Sequence, residues 1–200
     1  MESCEIYLVR HGETEWSRSG QHTGRTDLPL TQAGIEEARR IGKVLAHLEF
    51  ERVLSSPLAR ARSTCELAGF AGALQLEPDL VEWDYGAYEG LTSAQIHASN
   101  PGWMIFSHGA PDGESPDEIA ARIDRVIAKL RACEGRIALF AHGHVLRVLT
   151  ARWIGLSASH GRHFLLDTAT LSILGYYRDT PAIQCWNAST TQETIQEGTQ

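Results

Sequence analysis

The sequence contains no stretch approaching the roughly 18 consecutive apolar residues that a membrane-spanning helix needs, which argues against a membrane partner. Its start, Met1-Glu2-Ser3-Cys4-Glu5, is acidic where a secretory signal is basic and then apolar, so a cytoplasmic protein is expected. Basic residues are scarce: 18 Lys and Arg against 25 Asp and Glu leave a net charge of −7. A general nucleic-acid binder needs a basic footprint, so no nucleic-acid partner is expected either. A local arginine cluster can still hold a small anion, because net charge governs solubility and long-range steering and not a single pocket. Cys4, Cys65, Cys133 and Cys185 form no CxxC pair and are read as buried thiols. The absence of GxxxxGK[ST], GxGxxG and GxSxG removes support for nucleotide-loop and serine-hydrolase readings.

Two hundred residues, 42% hydrophobic and 22% charged, suit one globular domain with a substantial core. Residues 1–188 are assigned to that domain and 189–200 to a polar tail expected to fray.

The run Ile6-Tyr7-Leu8-Val9 reads as a buried strand that delivers Arg10 and His11 to its end, where Gly12 permits a sharp turn. Residues 13–29 read as a long loop. Thr31 can cap a helix reaching about Leu48, with Ile35, Ala38, Ile41 and Leu45 on one stripe. Arg52–Ser55 fits a second strand, and Ser56 as N-cap with Pro57 at the first helical position starts another helix carrying Arg60 and Arg62. Leu74–Glu77 is a short strand, and the aromatic, acidic stretch Glu82–Gly90 a loop. Thr92 caps a short helix ending before Asn100-Pro101. Ser115-Pro116-Asp117-Glu118 is a capping box for a helix that Gly135 ends. Ile137–Ala141 is a strand ending at His142-Gly143-His144, followed by a helix over Val145–Trp153. Leu171–Tyr177 and Ala182–Trp186 fit strands near a sheet edge.

Strands alternating with helices predict a three-layer α/β/α sandwich with a mostly parallel sheet. Ligands in such sheets sit outside the carboxyl ends of the strands. Arg10-His11, Arg60 and His142 would all lie at that edge, so two histidines and two arginines would share one anion pocket. On Arg10 and His11 alone, an ordinary exposed strand end explains the pair as well.

These residues resemble the histidine phosphatase superfamily, also called phosphoglycerate mutase-like. Arg10-His11-Gly12-Glu13-Thr14 matches its signature, Ser55-Ser56-Pro57-Leu58-Ala59-Arg60-Ala61 its second block, Glu82 in a loop its third and Ala141-His142-Gly143 its last. Within it, the chain is most similar to the sedoheptulose 1,7-bisphosphatase type of sugar phosphatase. That narrower likeness rests on Gly20-Gln21-His22-Thr23-Gly24 with Thr26–Thr31, on Glu82–Gly90 and on Ala141–Arg147.

The resemblance implies two-step hydrolysis of a small phosphorylated metabolite through phosphohistidine, with no metal or other cofactor. His11 would attack phosphorus, Glu82 would protonate the leaving oxygen, and Arg10, Arg60 and His142 would surround the phosphoryl oxygens. Acting as an acid near neutral pH requires a raised Glu82 pKa, which Trp83 and a bound dianion favour. Ser17, Thr23, Gly24 and Gly143 match phosphate- or sugar-contacting positions, and Tyr85 and Arg147 match substrate contacts in the sugar-bisphosphatase branch. Plain alternatives stand beside each: Arg60, Arg62 and Arg147 as helix-surface charges, Tyr85 as core, and Glu82 as one loop acid beside Asp84 and Glu89. A metal pair at His142 and His144, completed by Asp167, has poor ligand spacing. The functional competitors are a phosphoglycerate mutase and a silent phosphate-binding protein. Nothing in the sequence assigns an oligomeric state.

Overall fold

The computed structural model describes residues 4–190. Its sheet contains β1 (Glu5–Arg10), β2 (Arg52–Ser55), β3 (Leu74–Leu76), β4 (Arg136–Ala141), β5 (Leu171–Tyr177) and β6 (Thr180–Ala188). Their order is β3-β2-β4-β1-β5-β6. The first four are parallel, whereas β5 and β6 form an antiparallel hairpin beside β1.

The central strands are apolar without alternation because both faces are covered. Ile6 and Leu8 of β1, with Ile137 and Leu139 of β4, enter a core made with Ile119, Ile123, Val126 and Leu149. Tyr7, Val9, Ala138 and Phe140, one residue out of step, point into a second core with Ile41, Leu45, Cys65 and Ala68. Helices on the second side are α2 (Gln32–Leu45) and α3 (Ala59–Cys65), with the short α1 (Glu15–Ser19) preceding them. After the small α4 (Ser93–Ser99) and α5 (Ile105–His108), the other side is covered by α6 (Pro116–Arg131) and α7 (Gly143–Trp153). The predicted three-layer architecture is therefore present.

Several local expectations are corrected. The expected loop 13–29 contains α1, because Thr14 and Ser17 form a capping box and Gly20 closes it in the left-handed conformation. Ser56 and Pro57 do not begin α3, which starts at Ala59. The Ser56 hydroxyl is taken by His142, and the first-turn N–H of Ala59 is instead accepted by Asp27 Oδ1 at 2.7 Å. Helix α2 stops at Leu45, short of Leu48, and α6 stops at Arg131, before Gly135. The stretch 99–115 includes α5, and β6 is longer than the expected 182–186. All four cysteines are free, two of them buried and two half-buried; burial pushes the Cys4 thiol up to about 11 and Cys65 to about 12. The proposed polar tail lies outside the described residues from position 191 onward, as do Met1–Ser3. Among the described residues, no helix is long and apolar enough to cross a membrane.

Candidate active site

The floor of the site follows from strand register. Arg10 pairs with Ala141 across β1 and β4, and Ser55 pairs with Phe140 across β2 and β4. One residue further on, His11, Ser56 and His142 are therefore side by side. Backbone bonds continue the ladder there: His11 N–H donates to Ala141 O and Ser56 N–H to Phe140 O.

His11 is buried, and its Nδ1 lies 2.7 Å from the carbonyl oxygen of Gly12. A carbonyl can only accept, so Nδ1 carries the proton and Nε2 keeps a free lone pair. Burial, with help from Arg60 and Arg10, pushes the imidazole well below its usual range and keeps it neutral. Arg10 donates from Nη1 to Leu166 O, while its Nε is buried with no partner among the described residues. A Cβ on Gly143 would come within 3.3 Å of that guanidinium, so the glycine leaves it room.

Arg60 and His142 form a fully buried layer behind this pair. Arg60 Nε donates to His142 Nδ1 at 3.0 Å. His142 must then carry its proton on Nε2, which lies 2.8 Å from Ser56 Oγ. The other Arg60 nitrogens donate to the carbonyls of Thr23, Gly24 and Thr26. In this state Arg60 ties down the 23–26 loop and supports His142, and neither residue lines the open cleft. The sequence puts both around the phosphoryl oxygens; here they sit one layer behind the residues that line the cleft. Their rings and guanidinium are spent on each other and on the loop.

Glu82 departs from expectation as well. Its Oε1 accepts the N–H groups of Trp83 and Val145, and Oε2 accepts that of His144. Two of these belong to the first turn of α7, whose dipole favours an anion. Burial alone would raise the carboxyl, but His144 and these backbone donors outweigh it and hold it well below the usual carboxylate range. The indole N–H of Trp83 turns away to Glu114 O.

Residues 6–189 match the family described as the histidine phosphatase superfamily, branch 1. The chain belongs to that superfamily. It is 41% identical over 175 residues to an acid phosphatase of Mycobacterium tuberculosis, with 86% of each chain covered. It is 37% identical over 182 residues to sedoheptulose 1,7-bisphosphatase of Saccharomyces cerevisiae, covering 74% of this chain and 67% of that one. Among solved structures, the product of a Mycobacterium tuberculosis open reading frame superposes with a TM-score of 0.87 at 35% identity, covering 94% of this chain and 98% of the other. The fold is accordingly phosphoglycerate mutase-like, and the activity that of a phosphoric monoester hydrolase.

In this histidine phosphatase, Arg10, His11, Ser17, Thr23, Glu82, Tyr85, Gly143 and Arg147 all line one cleft. Gly24 does not line it: its carbonyl accepts from Arg60 and its N–H donates to Glu89. The competing loop acids are accounted for structurally. Asp84 accepts from Gly86 N–H, and Glu89 accepts from Gly24 and Thr26. Arg62 is exposed. Four further lining residues had no role assigned from sequence: Gln21, His22, His144 and Leu166. The first three sit inside the family-like blocks, which was the available signal. Leu166 had none, since it reaches the site through its carbonyl. Among the described residues, no three His, Cys, Asp or Glu side chains converge as metal ligands, and Asp167 is instead bonded to Asn187.

Proposed function

We propose that this histidine phosphatase hydrolyses phosphate monoesters of small metabolites, of the sugar (bis)phosphate class, through a phosphohistidine on His11 and without a metal. The observation that carries the reading is the His11 tautomer: its proton is committed to Gly12 O, leaving Nε2 as a neutral nucleophile in the cleft.

Arg10 is the first-line cation for the phosphoryl group, and its unpartnered Nε is a donor open to a ligand oxygen. Docking brings negative charge next to Glu82 and so favours its protonated form, against the pull of its backbone donors. In the first step His11 Nε2 bonds to phosphorus, the ester P–O bond breaks, and the leaving oxygen takes the Glu82 proton. In the second, the Glu82 carboxylate removes a proton from water, the oxygen bonds to phosphorus, and the P–N bond breaks. Arg60 and His142 position the pocket from behind and hold charge as it spreads. Support for a sugar substrate comes from the likeness to sedoheptulose 1,7-bisphosphatase and from the polar cleft wall of Gln21, His22, His144 and Arg147. Arg147 lies over the Phe106 ring at 4.5 Å and donates to Gly161 O, which keeps a cation at the cleft for a second phosphate.

The test is phosphate release with chelator present, from sedoheptulose 1,7-bisphosphate, fructose 1,6-bisphosphate, 3-phosphoglycerate and a nucleotide monophosphate. His11→Ala is expected to lower kcat on the order of 10⁴-fold or more. Acid-labile, alkali-stable label should appear on the wild type and vanish in that variant. Release unaffected by His11→Ala would overturn the mechanism. Equal release from every compound would remove the sugar assignment, and primer-dependent phosphoglycerate interconversion would make the chain a mutase.

A further inference from the structure

Arg10 is oriented by a segment 156 positions further along the chain. The Leu166 carbonyl, which takes Nη1, is the one acceptor of its guanidinium among the described residues. Three residues on, Ala169 N–H divides between the carbonyls of Arg10 and His11, at 3.1 and 3.2 Å. Segment 166–169 therefore grips Arg10 by its side chain and the Arg10-His11 pair by its main chain. It does so in a conformation that needs outside support. Ala169 has a φ of +54°, in the left-handed region that an alanine occupies only where its surroundings hold it.

That support comes from β6, at the far edge of the sheet. Leu171 of β5 pairs with Ala188 but Ile173 pairs with Cys185, so Ser172 faces two residues, Trp186 and Asn187. This is a β-bulge, which bends a strand and re-aims its side chains. Asn187 sits at φ +54°, and its N–H donates to the buried Ser172 Oγ. Both bulge side chains reach segment 165–167. Trp186 Nε1–H donates to Leu165 O, and its ring packs edge-on against Phe164. The Asn187 amide meets Asp167 twice: Oδ1 accepts its backbone N–H at 2.8 Å, and Nδ2 donates to its Oδ2 at 2.9 Å. A backbone N–H can only donate, so the amide cannot be the other way round. Leu166 is thus bracketed by neighbours that are held on either side.

A residue that only completed the β5–β6 hairpin would need the left-handed backbone and the N–H to Ser172, both of which glycine supplies. The two amide contacts go beyond that need. We infer that Asn187, assisted by Trp186, is a positioning residue for Arg10: it fixes the Leu166 carbonyl, which holds the guanidinium in the orientation presented to the phosphoryl group. The inference rests on the proposed reaction for the role of Arg10, and it gives the antiparallel edge of the sheet a part in that reaction.

The experiment asks whether Asn187 acts through Arg10. Asn187→Gly keeps the left-handed backbone and removes the amide. Asn187→Asp keeps the size, sets a carboxylate against Asp167, and carries the test should the glycine variant unfold. Each should lower kcat/KM for fructose 1,6-bisphosphate about ten- to a hundredfold, the scale for a group displaced by a distant change. In an Arg10→Ala background the same changes should cost less than threefold, because the residue they act through is gone. The side-chain Nε–H resonance of Arg10, assigned with Arg10→Lys, should shift or broaden in both variants. Equal losses with and without Arg10, or an unmoved Arg10 resonance, would overturn the inference and leave Asn187 a residue of the hairpin alone. His11→Ala run in parallel separates the two readings. Turnover intact in that variant removes the phosphohistidine reaction, while the Arg10 resonance still reports on the clamp. Turnover abolished there, with Asn187 losses independent of Arg10, removes the present inference alone.

Discussion

A methyl group on Gly12 would sit 2.4 Å from the carbonyl oxygen of Gly34, and one on Gly34 would sit 2.2 Å from that of Glu13. The turn after His11 and the first turn of α2 are thus in backbone contact, with no room for a side chain on either. Gly12 N–H donates to Thr64 Oγ1, which in turn donates to Arg60 O, so the same turn is tied to α3.

Gly34→Ala is therefore expected to damage the site from a position that faces no substrate. Both contacts are backbone and cannot swing away, so the cost is that of overpacking, about 1–3 kcal/mol. Urea unfolding should show that loss, and phosphohistidine formation should slow because the Gly12 carbonyl that orients His11 is displaced. Wild-type rates in Gly34→Ala would mean the turn is not held from this side.

Acidification should weaken the fold earlier than carboxylate titration alone explains. His11, His142 and His144 are all held below the ordinary histidine value of 6.5, each primarily by burial, and His22 is lowered to about 4. Between those folded values and 6.5 the unfolded chain binds more protons, so stability is fully present above 6.5 and is lost as pH falls. Each such histidine contributes a slope of up to about 1.4 kcal/mol per pH unit. Glu82 adds loss in the same direction below the ordinary carboxylate range. Denaturant midpoints measured from pH 7.5 to 4.5 should fall from about 6.5 downward; a flat curve to pH 5 would contradict the neutral histidine cluster.

Much of this was readable from local sequence, and the reasons differ by residue. β1 and β4 declare themselves by continuous apolar runs, and α6 by its Ser115 capping box, because those signals are local. The cap of α3 was not readable, since Asp27 supplies it from 32 positions away. The ionised state of Glu82 was hidden for a related reason: two of its three donors are in α7, some sixty residues later. Arg60 could be placed near the site by its motif. That its donors are spent on loop carbonyls depends on a fold of residues 23–26 with no periodicity to read.

Asp27→Ala should fray the start of α3, costing about 1 kcal/mol as for loss of an N-cap. Its effect on catalysis should exceed its effect on stability, because Arg60 is the second residue of that helix. A raised KM with only a modest fall in the unfolding midpoint is the expected result. An unchanged KM would show that Arg60 is held by its other contacts alone.

Arg122 anchors the backbone that leads into Glu82. It grips Glu114 through Nε and Nη2 at 2.8 and 2.7 Å, and its Nη1 donates to Asp79 O and Val81 O, next to Glu82 in sequence. Both side chains are about nine-tenths buried. Arg122→Ala strands the Glu114 carboxylate and is expected to cost about 3–5 kcal/mol in thermal or urea unfolding. Arg122→Lys, which keeps charge but loses the fork, should recover only part of that and leave kcat depressed. Full recovery by lysine would show that charge alone, without the two-pronged geometry, positions the loop.

The register that places His11, Ser56 and His142 together also divides the cleft by how its parts can open. The amides of His11 and Ser56 are rungs of the central sheet, donating to Ala141 and Phe140. They can exchange with deuterated solvent only when the middle of the sheet comes apart. The amides of Gly24 and Thr26 hang instead from a single Glu89 oxygen, and their carbonyls from Arg60. That rim can release and re-form by itself while the nucleophile beneath it stays put, so exchange lifetimes across a few ångströms of one pocket should span much of the range the whole protein offers.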